Sequence, residues 1–419
     1  MPSHKDSDMR VVVLGAGLLG VTSAYYLQQL GHEVIVVDRH ATPAAKARGM
    51  AIASASTGAV GPASAAPRRT KKLANFCGSI RRSISRLVDR AVGTPPKRGP
   101  LDHLVRLAAY SRKSARALRD EAGVAQGART AGLMNLFTDA EAFRVRMAAA
   151  PYWSGLGCEE RLLSVDEAIS LEPALKAIRS KLVGATYSQE DPARDPAQFA
   201  ASLVFLCRAA GVRFMTRHTV VSLKERDGRI DHVELLDGGG RPVSLRGQAY
   251  VLALGASSVP HAEDLGIDMP LRFVREYIVT MPIVDASLAP RIPLRDRQGK
   301  LRITRVDTPA GGQLKIQAVV RAGLDEESEP ASDRFQAIVR RTAMLLPGVA
   351  DATQASFETA MHAVSTNRLP MIGKTRLPNL FLNTAPGTRT WVHACGAGKS
   401  IARIVSGLRP ELDFAFRRP

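Results

Sequence analysis

The hydrophobic pattern changes period twice within residues 9–38. Val11-Val12-Val13-Leu14 is apolar at every position, as in a strand buried on both faces of a parallel sheet. Small or apolar residues then recur at helical spacing, at Leu19, Ser23/Ala24, Leu27 and Leu30. This predicts a helix from about Leu18 to Leu30, stopped by Gly31. Val34 to Val37 is a second apolar strand, closed by Asp38. Strand, helix and strand in this order predict a βαβ unit with a parallel strand pair.

The rest of the chain mixes the same signals differently. Helical periods are read at 101–122, 196–210, 333–346 and 394–406, and Val165 to Ile169 leading into Leu171-Glu172-Pro173-Ala174-Leu175 reads as a helix followed by a turn. Strands are read at 132–137, 212–215 and 379–384, and 250–256 is a buried strand running into a glycine turn. Segments 220–223, 230–235 and 241–245, with turns at Asp227-Gly228 and Gly238-Gly239-Gly240, form an antiparallel meander. Residues 271–320 are strand-like and antiparallel. Parallel-type segments therefore sit at both ends and in the middle of the chain. This order predicts an α/β (α+β) fold, with a Rossmann-like domain assembled from discontinuous segments and an inserted antiparallel-sheet domain. Residues 9–60, 180–258 and 355–414 are assigned to the first domain, 61–179 and 259–354 to the second.

The turn between the first strand and helix carries chemistry. Gly15-Ala16-Gly17-Leu18-Leu19-Gly20 fits G-x-G-x-x-G and directly follows Val12-Val13-Leu14. Gly15 permits the tight turn, Gly17 lets the backbone approach a pyrophosphate, and Gly20 lets the helix pack close to the strand. The free N–H groups and positive dipole at the helix start favour phosphate. Asp38 stands where a carboxylate accepts hydrogen bonds from a ribose 2′-OH, with Arg39 beside it. The whole constellation predicts a dinucleotide site. Gly398-Lys399-Ser400 mimics the end of a P-loop, but His393 occupies the place of its first glycine.

Composition adds less. Of 419 residues, 45% are hydrophobic and 23% charged, an ordinary balance for a soluble globular protein. The four cysteines (77, 158, 207 and 395) are scattered and the histidines unclustered, so neither a disulfide framework nor a metal site is expected. No signal peptide or membrane-spanning run is read. The net charge of +19 is unusual, and residues 68–98 hold ten Lys or Arg with an apolar stripe at Leu73, Phe76, Ile80, Ile84 and Leu87. That segment reads either as a basic amphipathic helix for a membrane surface or as a surface helix packed on the core. Aromatic residues make up 5% of the chain and no nucleic-acid module is visible, so a nucleic-acid partner is not expected.

From Met9 to Phe414 the chain resembles the FAD-dependent amino-acid oxidoreductases of the D-amino-acid oxidase superfamily, in its D-amino-acid dehydrogenase branch. The residues that carry the likeness are the opening MRVVVLGAGLLGVTSAYYLQQLGHEVIVVDR, Leu171 to Leu175, Leu301-Arg302-Ile303-Thr304-Arg305, Asn379 to Thr384, and Ala394-Cys395-Gly396-Ala397-Gly398. The resemblance implies FAD along the fingerprint, with the Gly255 turn closing over its adenine and pyrophosphate side. Gly387 and Thr388 would present backbone N–H groups near the flavin. It also implies oxidative deamination of a small amino acid, with hydride passing from the substrate Cα to flavin N5 and the imine hydrolysing to a 2-oxo acid and ammonium. Electrons would pass to a quinone-linked acceptor, with the protein cytoplasmic and peripheral on the inner face of the plasma membrane.

Several positions depart from the family pattern. His362 stands where an arginine holds the substrate carboxylate, Arg275-Glu276-Tyr277 replaces Lys-Gly-Tyr, and Gln317-Ala318 replaces a Gly-Gly pair. Ser56-Thr57 replaces an Ala-Asn stretch, and the flavin-side turn reads Ala385-Pro386-Gly387-Thr388-Arg389-Thr390. Tyr277 and His362 are the candidate substrate residues, with Arg389 or His393 as alternative anion binders. The departures leave two other readings open: oxidation of a secondary amine or imino acid, and a non-catalytic FAD-binding paralogue.

Overall fold

The computed structural model describes residues 9–43, 100–122, 132–158, 160–188, 196–308, 311–321, 331–367, 369–385 and 387–412. The basic stripe at 68–98 and Ser56-Thr57 lie outside these residues. The chain enters as β1 (Arg10–Leu14), α1 (Leu18–Gln29) and β2 (Glu33–Asp38). It continues through α2 (Pro100–Ala122), β3 (Leu133–Phe137), α3 (Ala140–Ala148), α4 (Ala150–Gly155), β4 (Arg161–Leu163), α5 (Val165–Leu171) and β5 (Gly184–Ser188). After α6 (Pro196–Ala209) come β6 (Arg213–Thr216), β7 (Thr219–Arg226), β8 (Arg229–Leu236), β9 (Pro242–Leu245), β10 (Ala249–Leu252) and α7 (Ser258–Glu263). The antiparallel section is β11 (Leu271–Pro282), β12 (Leu294–Asp296), β13 (Leu301–Thr308) and β14 (Gly311–Arg321), followed by α8 (Ala331–Leu345). β15 (Ser356–Ser365), β16 (Met371–Lys374), β17 (Leu380–Thr384) and α9 (Thr390–Val405) complete it.

The first sheet runs β16-β17-β10-β1-β2-β6, parallel except for its β16 edge. β1 is apolar throughout because both its faces are covered. Val11 and Val13 pack with the helices α1, α6 and α9, while Val12 and Leu14 pack toward the three-stranded meander β7-β8-β9. α1 is buried on more sides than its stripe predicted, since Leu18 through Ala24 are all buried. The close neighbour is α9. A Cβ on Gly398 would come 2.7 Å from Thr22, whose hydroxyl donates to the Ala394 carbonyl at 3.0 Å. The P-loop mimic is thus a helix-packing glycine inside α9.

The second sheet has eight strands in the order β15-β11-β14-β13-β12-β3-β5-β4. Its strands pair antiparallel except β12 with β3, where Leu294 faces Met134 in parallel. β5 and β15 join this sheet, although the sequence placed 184–188 and 356–365 with the nucleotide-binding segments. Their partners are distant in sequence, so no local turn announces the pairing. One face of the sheet, with Met134, Val279, Ile303 and Ile316, packs on α5, α8 and the 3₁₀ turn Pro173–Ile178. The helix α5 followed by this turn matches the helix and turn expected over 165–175. Glu172, 1% exposed, fixes it by accepting from the Ala174 amide at 3.2 Å and from those of Arg291 and Ile292 at 2.8 and 2.7 Å.

Candidate functional site

The fingerprint lies at the carboxyl end of β1, in the middle of the parallel sheet, where strand order reverses and ligands of open α/β sheets bind. Its glycines divide the work. Gly15 has φ +108°, donates its N–H to the Val37 carbonyl at 2.8 Å, and would bring a Cβ within 2.6 Å of the Ala253 carbonyl oxygen. A Cβ on Gly20 would overlap the Gly15 carbonyl oxygen. A Cβ on Gly17, by contrast, meets open space. Val12, Val13, Leu14, Ala16, Leu18 and Leu19 are buried and hold the turn from behind. α1 begins at Leu18 with no side-chain cap and no acidic residue in its first turn. Its amides and dipole are therefore left for an anion approaching over Gly17.

Asp38 has an additional task. Its Oδ2 accepts from the Ala16 amide at 2.7 Å, while Oδ1 bonds the His40 amide at 2.8 Å and ring Nδ1 at 2.7 Å. This carboxylate ties the glycine turn to the end of β2. Arg39 is exposed.

Two more turns meet this edge. Gly255, φ +65°, follows β10, and Thr384 at the end of β17 donates its hydroxyl to the Gly255 carbonyl at 3.1 Å. Ala385 (φ +58°) and Gly387 (φ +62°) turn the chain into the 3₁₀ segment Gly387–Arg389, which contains Thr388, and then into α9. α9 starts at Thr390, four residues before the expected Ala394. It too lacks a side-chain cap and a first-turn acid. His393 is buried inside this helix. Burial and nearby Arg389 push its pKa down to about 3, so it is neutral at physiological pH and is not an anion binder.

The polar face of the eight-stranded sheet meets the Gly387 turn. A Cβ on Gly387 would come 2.6 Å from Cγ2 of Val364, and Val364 shares its strand face with His362. Strand parity then sorts the candidates. His362 is on this face, and its Nε2 hydrogen-bonds Glu276 Oε2 at 2.8 Å. Tyr277 is on the other. It is 4% exposed and stacked on Phe357, with ring centroids 5.6 Å apart. Tyr277 is therefore corrected from substrate contact to core residue, because one position along a strand reverses the face. Its neighbour Glu276 takes the site-facing place. Gln317 Nε2 donates to Glu276 Oε1 at 3.2 Å, and Arg302 lies opposite Gln317 on the same face. The sequence reading did not single out Glu276 and Gln317 as candidates. The signal was their common status as departures at sites where glycine was expected.

Among the described residues, no group of three His, Cys, Asp or Glu side chains is placed to hold a metal ion. No described helix is long and apolar enough to cross a membrane.

A dinucleotide cradle at the switch point of a parallel sheet, facing the polar side of a mixed sheet, defines the class of a nucleotide-dependent oxidoreductase. The model of the FAD dependent oxidoreductase family matches residues 10–404, and the chain belongs to that family. Its cofactor is FAD, and the open space over Gly17 with the uncapped start of α1 fits the pyrophosphate of that group. The chain is 32% identical to the D-amino acid dehydrogenase of Dechloromonas aromatica, over 98% of this chain and 100% of that one. It is likewise 32% identical to that of Methylobacterium radiotolerans, over 96% and 97%. Among solved structures, glycine oxidase from Geobacillus kaustophilus superposes with a TM-score of 0.71 at 17% identity, covering 99% of each chain. L-proline dehydrogenase from P. horikoshii gives 0.70 at 15%, covering 98% and 96%. At such identities these likenesses concern the fold alone.

Proposed function

We propose that this enzyme oxidises D-amino acids to 2-oxo acids and ammonium and passes the electrons to a quinone-linked acceptor at a membrane surface. The observation that carries this reading is the full-length similarity to D-amino acid dehydrogenases, joined to a cradle that faces a buried polar sheet face. Bound FAD supplies the two-electron acceptor. The chain's own residues supply position and exclusion of water. The Gly15–Gly20 turn and the start of α1 hold the pyrophosphate, and Asp38 takes the ribose hydroxyls. The turn at Gly387 and Thr388 offers backbone amides on the flavin side, and the sheet face carrying His362 and Glu276 covers the substrate. Hydride leaves the substrate Cα, and water then hydrolyses the resulting imine. The net charge of +19 supports a peripheral position on the inner, cytoplasmic face of an anionic membrane.

A second reading, oxidation of a secondary amine or imino acid, is favoured by one observation: His362 in place of a guanidinium. Turnover with a dye acceptor separates the two. D-alanine and other D-amino acids are expected to yield a 2-oxo acid and ammonium, with sarcosine and hydroxyproline isomers far slower. The reverse order overturns the first reading.

A further inference from the structure

On the face of the eight-stranded sheet that meets the Gly387 turn, Glu276 is 2% exposed. Among the described residues its ion-pair partner is the imidazole of His362, and its other hydrogen-bond partner is the Gln317 amide. A buried carboxylate is stabilised by a strong cationic partner, and neither an imidazole nor an amide supplies a permanent one. The charged acceptor of this cluster is the Glu276 carboxylate, so the cluster accepts from a group that brings its own N–H donors and positive charge. The three residues come from separate strands, β11, β14 and β15, and are joined in register, so the arrangement is built into the sheet.

We propose that Glu276, with His362 and Gln317, forms a subsite for the protonated amine of the substrate. This rests on the reading that the substrate is an amine or amino acid oxidised beside the fingerprint. Glu276 accepts the N–H donors. His362 and Gln317 position the carboxylate, one on each oxygen. The same face also carries Arg302 and Arg295 beyond Gln317, and Glu358 and Arg272 on the flanking strands. These groups set the field in which the pair works.

The test is calorimetric titration of the FAD-loaded enzyme with propylammonium and, separately, with propionate. The wild type is expected to bind propylammonium. Glu276→Gln is expected to weaken that binding about tenfold or more and to change propionate binding by less than about threefold. Absence of propylammonium binding, equal affinity in Glu276→Gln, or equal weakening of both probes overturns the proposal. Should Glu276→Gln fail to fold, the wild type decides with 1-propanol as the uncharged isostere: propylammonium is expected to bind about tenfold or more tighter, and equal affinity overturns the subsite. Flavin reduction by D-alanine in the wild type reports separately on the proposed reaction. Reduction without propylammonium binding sinks this subsite alone, and Glu276-dependent binding without reduction sinks the substrate reading alone.

Discussion

Gly17 and Gly20 belong to one turn but have different tasks, and the structure separates them by what a methyl group would meet. At Gly20 it would overlap the Gly15 carbonyl oxygen, so Gly20→Ala is expected to destabilise the fold by about 3 kcal/mol in chemical denaturation. At Gly17 it meets open space. Gly17→Ala is therefore expected to keep the wild-type denaturation midpoint of the cofactor-free protein while FAD binding, read by fluorescence quenching, weakens about tenfold or more. Buried His393 adds a prediction about pH. The unfolded imidazole takes up a proton below its ordinary pKa of 6.5, while the folded one stays neutral down to about 3. Stability is therefore full above pH 6.5 and falls as the pH drops through this window, by at most about 1.4 kcal/mol per unit. His393→Gln is expected to flatten the wild-type loss across that window, measured by denaturation at a series of pH values. Matching slopes for the two proteins would exclude this role.

At the scale of elements, the packing of α1 on α9 holds the two uncapped helix starts in a fixed relation. Gly398→Val, placing a branched side chain against Thr22, is expected to cost about 3 kcal/mol and to weaken FAD binding along with it. Elements with a strong local pattern were legible in the sequence. β1, α1 and β2 read directly because an unbroken apolar run, a helical stripe and a glycine stop lie next to one another. β15 was not legible, since Ser356–Ser365 mixes polar and apolar residues on both faces. Without it the β11 register was also hidden, because His362 and Glu276 meet across 86 residues of chain. The early start of α9 escaped for a different reason. Thr390 and Trp391 follow a turn in which Ala385, unlike Gly387, gives no sign of its positive φ.

At the scale of the molecule, a nucleotide-binding sheet and a polar sheet face meet at the Gly255 and Gly387 turns. The cofactor half was legible because phosphate binding depends on a short, contiguous turn. The substrate half was not, because it is assembled from strands whose pairing is set by tertiary packing. Tyr277 illustrates this: strand parity places it in the core and puts its neighbour Glu276 on the polar face beside His362. In the function proposed, this whole arrangement binds FAD and oxidises D-amino acids. Its most direct test is the visible absorption spectrum of the purified protein, recorded without oxygen before and after D-alanine is added. A flavin band near ~450 nm that bleaches with D-alanine and persists with L-alanine is the expected result. A protein that shows no flavin band even after FAD is added, or a band that no D-amino acid bleaches, would contradict the account.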